Sequence, residues 1–222
     1  AGRRAALAHT GSMAGDHDVC LAALRQAGCL VARGTDEFFD ILALLDAYPD
    51  DLPAGRGVGI VTISGGPCVA AADACEEAGV PVPELSSATQ ARVRELIPQF
   101  GAASNPVDMT PQMDPMKMGA CVDAVARDRG VGALLAINVG LDRPQFAEAF
   151  VRVRRRKPVI AFVVDVPEIA GRFAEEGIPI FSSPERAARA LAAIRGDAPA
   201  HDAGARGVRA VHAGRADGGA HT

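Results

Sequence analysis

The sequence predicts an α/β fold, an open, doubly wound, mostly parallel sheet preceded by a partial α/β segment. Three aliphatic runs of strand length carry this prediction: VGIVTIS (58–64), ALLAINV (133–139) and VIAFVVD (159–165). Because these runs are continuous rather than alternating, they indicate strands that are buried on both faces. Helix-like stretches lie between them, and strands that alternate with helices form parallel sheets through right-handed crossovers.

Two helices with no sheet of their own are predicted before the first strand. The segment GDHDVCLAALRQAG (15–28) has Asp16 as its expected N-cap and stops at Gly28. After the short extended piece CLVA, the segment TDEFFDILALLDA (35–47) is predicted as a second helix of the same kind, with Thr35 as its expected N-cap. Each helix has an apolar stripe, which must pack against another part of the protein.

Domain boundaries follow from composition. YPDDLPAGRG (48–57) is dense in proline, aspartate and glycine, which is typical of a linker. From Asp197 onward the chain has scarcely any large apolar side chain, so burial cannot offset the entropy of ordering and a disordered tail is expected. The predicted divisions are a segment at 1–47, a linker at 48–53, the α/β domain at 54–196 and the tail at 197–222.

Shorter segments complete the predicted order of elements within the α/β domain. VPVPEL (80–85) and IPIFSS (178–183) are two shorter strand candidates. Helices are expected near residues 67–78, 86–97, 114–129, 143–156, 167–176 and 184–195. A helix therefore follows every predicted strand, as βα units require.

Composition and charge exclude several classes of protein. The formal net charge of −4 leaves no broad basic field, so a nucleic-acid partner is not expected. The basic run RVRRRK (152–157) is interpreted as a solvated helix end. No window reaches the roughly 18 apolar residues that span a membrane, and no signal peptide is recognised, so a cytoplasmic protein is predicted. The chain begins at Ala1 without methionine, which suggests a fragment or a trimmed chain.

Neither a metal site nor a disulfide framework is expected. The five cysteines are odd in number and lack C-x-x-C spacing, which is typical of reduced thiols, most of them buried. The tail histidines His201, His212 and His221 are too widely spaced for a metal cluster.

A glycine-rich turn after the first strand is the main candidate for ligand binding. In TISGGPCVAAAD, Ser64 is a candidate N-cap, and Gly65 and Gly66 allow close backbone approach. Pro67 suits the first helical position, so free N–H groups and the positive end of a helix point outward, as in an anion site. The alternative is an ordinary tight βα turn that binds nothing. The turn is not a P-loop, since no G-K-[ST] follows, and not a nucleophile elbow, since Thr62 stands where that motif needs glycine.

Two further loops are expected to open on or near the same edge of the sheet. Ligands of open α/β sheets gather at the carboxyl ends of strands, which is why these loops are singled out. Asn105 and Asp108 either hydrogen-bond a ligand or form an Asx turn around Pro106, and the residues alone leave both readings open. The loops are GAASNPVDMTP (101–111) and NVGLDRP (138–144), with the candidate rim residues Asn105, Asp108, Asn138 and Gly140.

Three motifs, in the same order, resemble the NDP-forming acyl-CoA synthetases, a family related to succinyl-CoA ligase. The motifs are GRRAALAHTGSMAG, VGIVTISGGPCVAAADA and SNPVDMT, and the resemblance covers about residues 1 to 196. It implies a flavodoxin-like domain of the succinyl-CoA ligase type at 54–196, preceded by the C-terminal part of a ligase domain with a histidine loop. It also implies that His9, in the H-T-G stretch, is the residue that is transiently phosphorylated.

The same resemblance implies a reaction and its partners. Acyl-CoA, ADP and phosphate would give the acid, CoA and ATP reversibly, with no tightly bound cofactor. CoA, ADP or ATP, and Mg²⁺ would be substrates of the complete enzyme, and His9 would be its nucleophile. A CoA-binding domain and an ATP-grasp domain or subunit would be required partners, and an oligomer is expected. The phosphate-binding residues would be Gly11, Ser12, Ser64, Gly65 and Gly66.

Some features separate this chain from the family pattern. The family loop often reads N-S-G-G-P-G where this chain has Ile63 and Cys68, and CoA-binding and ATP-grasp modules are not recognised in it. The carboxylate that partners the histidine is expected in the part of the family architecture that precedes Ala1.

Two functions remain after these observations. One is a catalytic portion of an acyl-CoA synthetase. The other is a non-catalytic remnant, or an anion-binding or CoA-related module of the same fold. A flavin-binding protein is disfavoured, because one tyrosine and no tryptophan leave little to stack on an isoalloxazine ring.

Overall fold

The computed structural model describes residues 17–49 and 56–195. Four predicted features lie outside the described residues: the histidine loop with His9, Gly11 and Ser12, the expected N-cap Asp16, most of the linker, and the tail at 197–222.

A five-stranded parallel sheet with the strand order β2-β1-β3-β4-β5 forms the centre of the described chain. This order is that of an open, doubly wound, flavodoxin-like sheet, so the predicted fold class is confirmed. The strands are β1 (Gly57–Thr62), β2 (Val107–Asp108), β3 (Val131–Val139), β4 (Val159–Val164) and β5 (Ile180–Phe181).

Helices precede the sheet and connect its strands. Their positions agree with the predicted order of elements to within a few residues at each end. In chain order they are α1 (His17–Gln26), α2 (Thr35–Ala47), α3 (Gly65–Glu77), α4 (Ser87–Leu96), α5 (Pro115–Arg127), α6 (Pro144–Val153), α7 (Pro167–Glu175) and α8 (Pro184–Arg195).

Two apolar layers cover the two faces of the sheet. The first layer contains α3 and α8, which pack together, and α2 joins them; the second contains α4, α5, α6 and α7. The central strand β1 contributes to both layers. Val58 and Ile60 belong to the first, whereas Val61 and the following Ile63 belong to the second. Every residue of β1 is buried, which explains why its sequence is a continuous aliphatic run.

The segment at 80–85 is not a strand, so that prediction is wrong. Its two prolines, Pro81 and Pro83, lack the N–H groups that a strand ladder needs. The Pro81 carbonyl instead accepts a hydrogen bond from the N–H of Val58 at 2.8 Å. The strand beside β1 at this edge of the sheet is β2, in a stretch that is predicted as a loop because a strand of two residues is too short to show a period.

Two predicted helix starts differ from the observed ones. Thr35 is the first helical residue of α2, Gly34 holds the N-cap position, and no side chain caps the helix. α3 begins at Gly65, so Pro67 is its third residue rather than its first. Proline is tolerated at this position because the N–H groups of the first turn have no intrahelical partner.

The N-terminal segment is held to the α/β domain through α2. Leu44 is fully buried and Ile41 is nearly so, in the layer that α3 and α8 form. Asp40 accepts two hydrogen bonds of 2.8 Å from the guanidinium group of Arg186 on α8. The apolar contacts and the paired charges together fix α2 against the sheet domain.

Tyr48 adds a second anchor directly after α2. Its hydroxyl donates to the Val159 carbonyl at 2.6 Å and accepts from the Val159 N–H at 3.0 Å. Burial raises the pKa of Tyr48 above its usual value. The segment is therefore tied to the first residue of β4 as well as to α8.

The N-terminal helices nevertheless leave part of their apolar stripes uncovered. On α1, Val19 is 67% exposed and Leu24 is 41% exposed. On the outer side of α2, Phe38 and Phe39 are 51% and 60% exposed. Of these four side chains, Phe38 and Phe39 are in ring contact, with their centroids 5.7 Å apart.

Leu44→Ala is expected to weaken the attachment of the N-terminal segment. Removing this fully buried side chain costs about 2–5 kcal/mol of stability. Limited proteolysis between 49 and 57 is the measurement, and in the native protein we expect the cleaved N-terminal peptide to stay bound to the α/β domain. Leu42→Ala is the matched control, because Leu42 is 42% exposed. Release of a folded, soluble N-terminal peptide from the native protein contradicts the prediction.

The five cysteines are all free thiols, as predicted. Cys68, Cys75 and Cys121 are buried, whereas Cys20 and Cys29 are exposed. Burial raises the pKa of Cys75 to about 11 and that of Cys121 to about 12, so neither carries an appreciable thiolate fraction near neutral pH.

The described residues lack two kinds of feature. They contain no helix of the length and apolar character that a membrane crossing needs. Within the same part of the chain, no group of three histidine, cysteine, aspartate or glutamate residues is arranged to hold a metal ion.

Candidate functional site

The carboxyl ends of β1 and β3 form the point where the strand order reverses. From β1 the chain crosses to β2 on one side, whereas β3 and the later strands lie on the other side. Ligands of open α/β sheets bind in the crevice at such a point. The turn that leads into α3, the turn after β2 and the turn after β3 all meet there.

The turn between β1 and α3 is fixed by hydrogen bonds to the sheet. The buried Thr62 hydroxyl accepts from the N–H of Ser64 at 2.8 Å and lies 3.1 Å from the Ile137 carbonyl. The Ser64 hydroxyl accepts from the N–H of Val139 at 3.1 Å. Ser64 occupies the N-cap position of α3, but its side chain joins β1 to β3 and does not cap the helix. The turn is therefore a rigid platform.

The first turn of α3 presents its backbone to solvent at Gly66. A Cβ placed on Gly66 would meet no atom within 4 Å, so this residue is open on the outer side. Gly65 is different, because a Cβ there would lie 2.7 Å from Oδ2 of Asp108. The N–H groups of a first helical turn lack intrahelical partners, and the helix dipole favours negative charge beside them. An anion can therefore reach the backbone on the Gly66 side.

Cys68 stands where the family pattern has glycine, and its thiol points away from the open side. The thiol donates a hydrogen bond of 2.8 Å to the Gly65 carbonyl. Burial, and then the negative charge of Asp108, raise the pKa of Cys68. Ile63, the other departure from the pattern, is fully buried in the second layer. Neither departure covers the first turn of α3.

The carboxylate of Asp108, the last residue of β2, lies beside the first turn of α3. Its backbone exchanges two hydrogen bonds with Ala102, of 3.0 and 3.1 Å. Its Oδ1 accepts from the N–H of Thr110 at 2.8 Å, which orients the carboxylate. Oδ2 therefore lies beside Gly65, at the amino end of α3. The site combines a positive helix end on the Gly66 side with a hydrogen-bond acceptor on the Gly65 side.

Thr110 follows in the same turn and is not among the candidate residues from the sequence. Its φ of 64° is in the left-handed region, which β-branched residues rarely occupy, and Pro111 after it also favours extended backbone. Such a conformation costs about 1–3 kcal/mol. The residue is 4% exposed, and its hydroxyl has no hydrogen-bond partner within the described residues. In the sequence, the pattern D-x-T-P at 108–111 is the feature that could have indicated this turn.

Asn105 lies away from the carboxyl edge and completes the edge of the sheet. Its amide oxygen accepts from the N–H of Ile60 at 2.9 Å, and its amide nitrogen donates to the Val58 carbonyl at 2.9 Å and the Pro83 carbonyl at 3.0 Å. It therefore takes the place of a neighbouring strand beside the amino-terminal half of β1. All of these bonds are internal, so Asn105 does not form part of the rim that the sequence suggests.

Asn138 and Gly140 shape the turn after β3. The fully buried Asn138 side chain donates to the Leu141 carbonyl at 2.8 Å and accepts from the Leu141 N–H at 3.2 Å. Gly140 has a φ of 71°, which glycine adopts without strain. Asn138 thus holds the turn beside the platform, and its polar atoms are already paired.

Two cavities lie away from this edge. One, of about 420 Å³, is lined by residues that include Ala47, Arg154 and Pro179, near the amino ends of β4 and β5. The other, of about 430 Å³, is lined by Asp73, Asn105 and others beside β1. Neither cavity is lined by Gly65, Gly66 or Asp108.

Comparison with known proteins gives two family matches. Residues 1–45 match the succinyl-CoA ligase like flavodoxin domain, and residues 58–181 match the Ligase-CoA domain. The second match alone covers more than half of the chain.

Several curated relatives are similar over most of this chain. The ADP-forming acetate–CoA ligase II subunit alpha of Pyrococcus furiosus is 35% identical over 205 residues, which cover 87% of this chain and 44% of the relative. The ADP-forming acetate–CoA ligase I of Archaeoglobus fulgidus is 33% identical, over 87% of this chain and 28% of the relative. The chain thus spans less than half the length of these curated relatives.

Solved structures share the fold. The dinucleotide-forming acetyl-coenzyme A synthetase 1 of Ca. Korarchaeum cryptofilum, in complex with phosphate and ADP, has a TM-score of 0.76 and is 25% identical. The match covers 88% of this chain and 44% of that one. PH0766 of Pyrococcus horikoshii has a TM-score of 0.72 and is 29% identical, over 83% of this chain and 44% of that one.

Proposed function

This chain belongs to the Ligase-CoA domain family, and from that membership we propose that it is a portion of an NDP-forming acyl-CoA synthetase. The observation that carries the proposal is the open first turn of α3 at the switch point, with the Asp108 carboxylate beside it. That turn belongs to the same chain as the H-T-G stretch around His9. The relatives that support the proposal are ADP-forming acetate–CoA ligases.

The proposed reaction runs through a phosphorylated histidine. Phosphate attacks the acyl carbon of acyl-CoA, which releases CoA and leaves an acyl phosphate. A neutral ring nitrogen of His9 then attacks the phosphorus, and the acid leaves as a carboxylate. Finally the phosphoryl group passes to ADP and ATP is formed. All steps are reversible.

The proposed roles at the site fall to different parts of the turn between β1 and α3. The backbone N–H groups on the Gly66 side would hold the phosphoryl oxygens, because the first-turn N–H groups of a helix lack intrahelical partners and a Cβ on Gly66 would meet no neighbouring element within 4 Å. Gly11 and Ser12 would let the histidine loop approach closely. The Ser64 hydroxyl would act indirectly, because it fixes the turn to β3.

Asp108 is proposed to accept a hydrogen bond from the imidazole ring of His9. The nucleophilic nitrogen must be unprotonated, so the other ring nitrogen carries the proton and needs an acceptor. Oδ2 of Asp108 lies at the amino end of α3, while Oδ1 is held by Thr110. This carboxylate is therefore a candidate within the chain itself for the partner that the family resemblance places elsewhere.

The remaining functions are assigned to partners. We propose that a CoA-binding domain delivers the acyl-CoA and that an ATP-grasp domain or subunit binds ADP or ATP together with Mg²⁺. The exposed apolar stripes of α1 and α2 support a further protein element on that side. An oligomeric enzyme in the cytoplasm, where CoA and adenine nucleotides are available, is part of the same proposal.

The isolated chain is expected to have no synthetase activity. Holding the substrates and the histidine together contributes several kcal/mol to catalysis, and one open turn does not replace that positioning. The measurement is ATP formation from acetyl-CoA, ADP and phosphate, with the chain alone and with its CoA-binding and ATP-grasp partners. Activity only in the assembled enzyme supports the proposal. Turnover by the chain alone, or no turnover in the assembled enzyme, contradicts it, and the second result favours the non-catalytic module.

A further inference from the structure

Buried polar side chains are concentrated at the three turns of the candidate site. Thr62, Thr110 and Asn138 lie at or just beyond the carboxyl ends of β1, β2 and β3, and Asp128 is the one other buried polar or charged residue in the part of the chain that the structure describes. Burial of a polar group is unfavourable unless the group is hydrogen-bonded, and valine would fill the volume of Thr62 without a polar atom. The hydrogen bonds of Thr62 therefore need a reason beyond packing.

The Thr62 hydroxyl fixes the backbone of Ser64 from beneath. It accepts from the N–H of Ser64 at 2.8 Å. It also lies 3.0 Å from the Ser64 carbonyl and 3.1 Å from the Ile137 carbonyl, and it can donate its single proton to one of them. Thr62 is fully buried, so water does not compete for these bonds.

This hydroxyl also determines which N–H groups remain at the start of α3. A helix leaves the N–H groups of its N-cap and of its first three residues without intrahelical partners. In α3 these four positions are Ser64, Gly65, Gly66 and Pro67. The N–H of Ser64 is bound by Thr62, and proline has no N–H. Two glycine N–H groups are therefore left.

No side chain caps these two groups. An N-cap serine ordinarily accepts from an N–H of the first helical turn. The Ser64 hydroxyl instead accepts from the N–H of Val139 at 3.1 Å, and α3 has no side-chain cap. Gly65 and Gly66 thus supply the N–H groups that neither the helix nor a cap uses.

We infer that Thr62 is a positioning residue of the phosphoryl site, because its bond to the N–H of Ser64 fixes the backbone that carries the N–H groups of Gly65 and Gly66. The inference rests on the proposed function. Thr62 is fully buried and does not touch the ligand, so it acts through Ser64. Donors that are ordered in the free protein bind an anion more tightly, because binding does not have to order them.

The test is a titration of the full chain with inorganic phosphate, with Thr62→Val and Thr62→Ser beside the native chain. Valine keeps the volume and the β-branching without the hydroxyl, and serine keeps the hydroxyl. The amide chemical shifts of Gly65 and Gly66 report binding to the folded chain, and chemical unfolding reports stability. We expect Thr62→Val to weaken phosphate binding about three- to tenfold, the range that corresponds to the net contribution of one hydrogen bond. Thr62→Ser should bind as the native chain does.

Tyr48→Phe is the matched control, because it also removes a buried hydroxyl. That hydroxyl makes two hydrogen bonds with the backbone of Val159, at the amino end of β4 and so at the opposite edge of the sheet. Both variants should lose stability. Weaker phosphate binding by Thr62→Val alone, with rescue by serine, supports the inference. Native-like binding by folded Thr62→Val overturns it, and so does equal weakening in Tyr48→Phe.

A milder variant serves if valine prevents folding. Thr62→Cys replaces the hydroxyl by a thiol, which is a weaker acceptor. It should bind phosphate less tightly than Thr62→Ser, and equal affinities of these two variants reject the role of Thr62.

Gly66→Val, followed at the amide of Gly65, separates this inference from the proposed function. If Gly66→Val abolishes phosphate binding and Thr62→Val leaves it unchanged, the anion site stands and only the role of Thr62 is rejected. If the native chain shows no phosphate-dependent shift at Gly65 or Gly66, the anion site is rejected and the role of Thr62 with it.

Discussion

His9→Asn is expected to abolish phosphoryl labelling of the assembled enzyme. Asparagine has similar size and hydrogen-bonding capacity to histidine, but it offers no nucleophilic nitrogen. Removing a nucleophile that is essential to a covalent mechanism lowers the rate by roughly 10³-fold or more, so no label should exceed background. The measurement is incorporation of the γ-phosphoryl group of radiolabelled ATP into this chain, with CoA-binding and ATP-grasp partners present.

The chemical stability of the label identifies the residue type. A phosphorylated imidazole is labile in acid and stable in base, so the label on the native chain should be lost at low pH and kept at high pH. His17→Asn is the matched control, because His17 is the first residue of α1 and is expected to carry no phosphoryl group. The tail histidines at 201, 212 and 221 are likewise expected to be dispensable. Full labelling of His9→Asn contradicts the catalytic assignment.

Gly66→Val is expected to lower phosphoryl labelling by about a hundredfold or more, since backbone donors aimed at developing charge contribute that much. The valine side chain would stand on the open side of the first turn of α3 and keep the phosphoryl oxygens from the backbone. A Cβ at this position would meet no neighbouring element within 4 Å, and the φ of Gly66 is outside the left-handed region, so the fold should tolerate the substitution. Labelling under the conditions of the His9 experiment, together with thermal unfolding, measures both effects.

Gly171→Val provides a control for Gly66→Val. Gly171 is also helical, and a Cβ there would meet nothing within 4 Å, but it lies on α7, outside the three turns of the candidate site. Both variants should unfold at temperatures close to that of the native chain, because valine has a better helix propensity than glycine. Only Gly66→Val should lose labelling. Equal labelling of the two variants shows that the first turn of α3 does not bind the phosphoryl group.

The fold class could be predicted from the sequence because a strand that is buried on both faces is a continuous apolar run. Each inner strand of a parallel sheet must be apolar along its whole length, so β1, β3 and β4 stand out as continuous runs. The helices between them have clear ends, and their observed bounds differ from the predicted ones by a few residues. The glycine-rich turn before α3 was likewise visible as a local pattern.

The predictions from sequence were wrong where a residue distant in the chain supplies the hydrogen bonds. At 80–85 the apolar residues suggested a strand, but the prolines offer only carbonyls, and these pair with Val58 and Asn105. Asn105 looked like a rim residue beside a turn. Only the register of β2 against β1 shows that its amide replaces a strand at the edge of the sheet.

The residue pattern alone predicted the alternation of strands and helices, a sheet buried on both faces, and the glycine-rich turn before α3, although it placed the second strand wrongly. These features depend on residue types at short spacing, which a linear pattern records. Three further features became visible only in the folded chain: Asp108 lies against Gly65, Ser64 joins β1 to β3, and Thr110 has a left-handed φ and a buried hydroxyl with no partner among the described residues. Such contacts join residues tens of positions apart, and the parallel pairing of strands, rather than any local preference, brings them together.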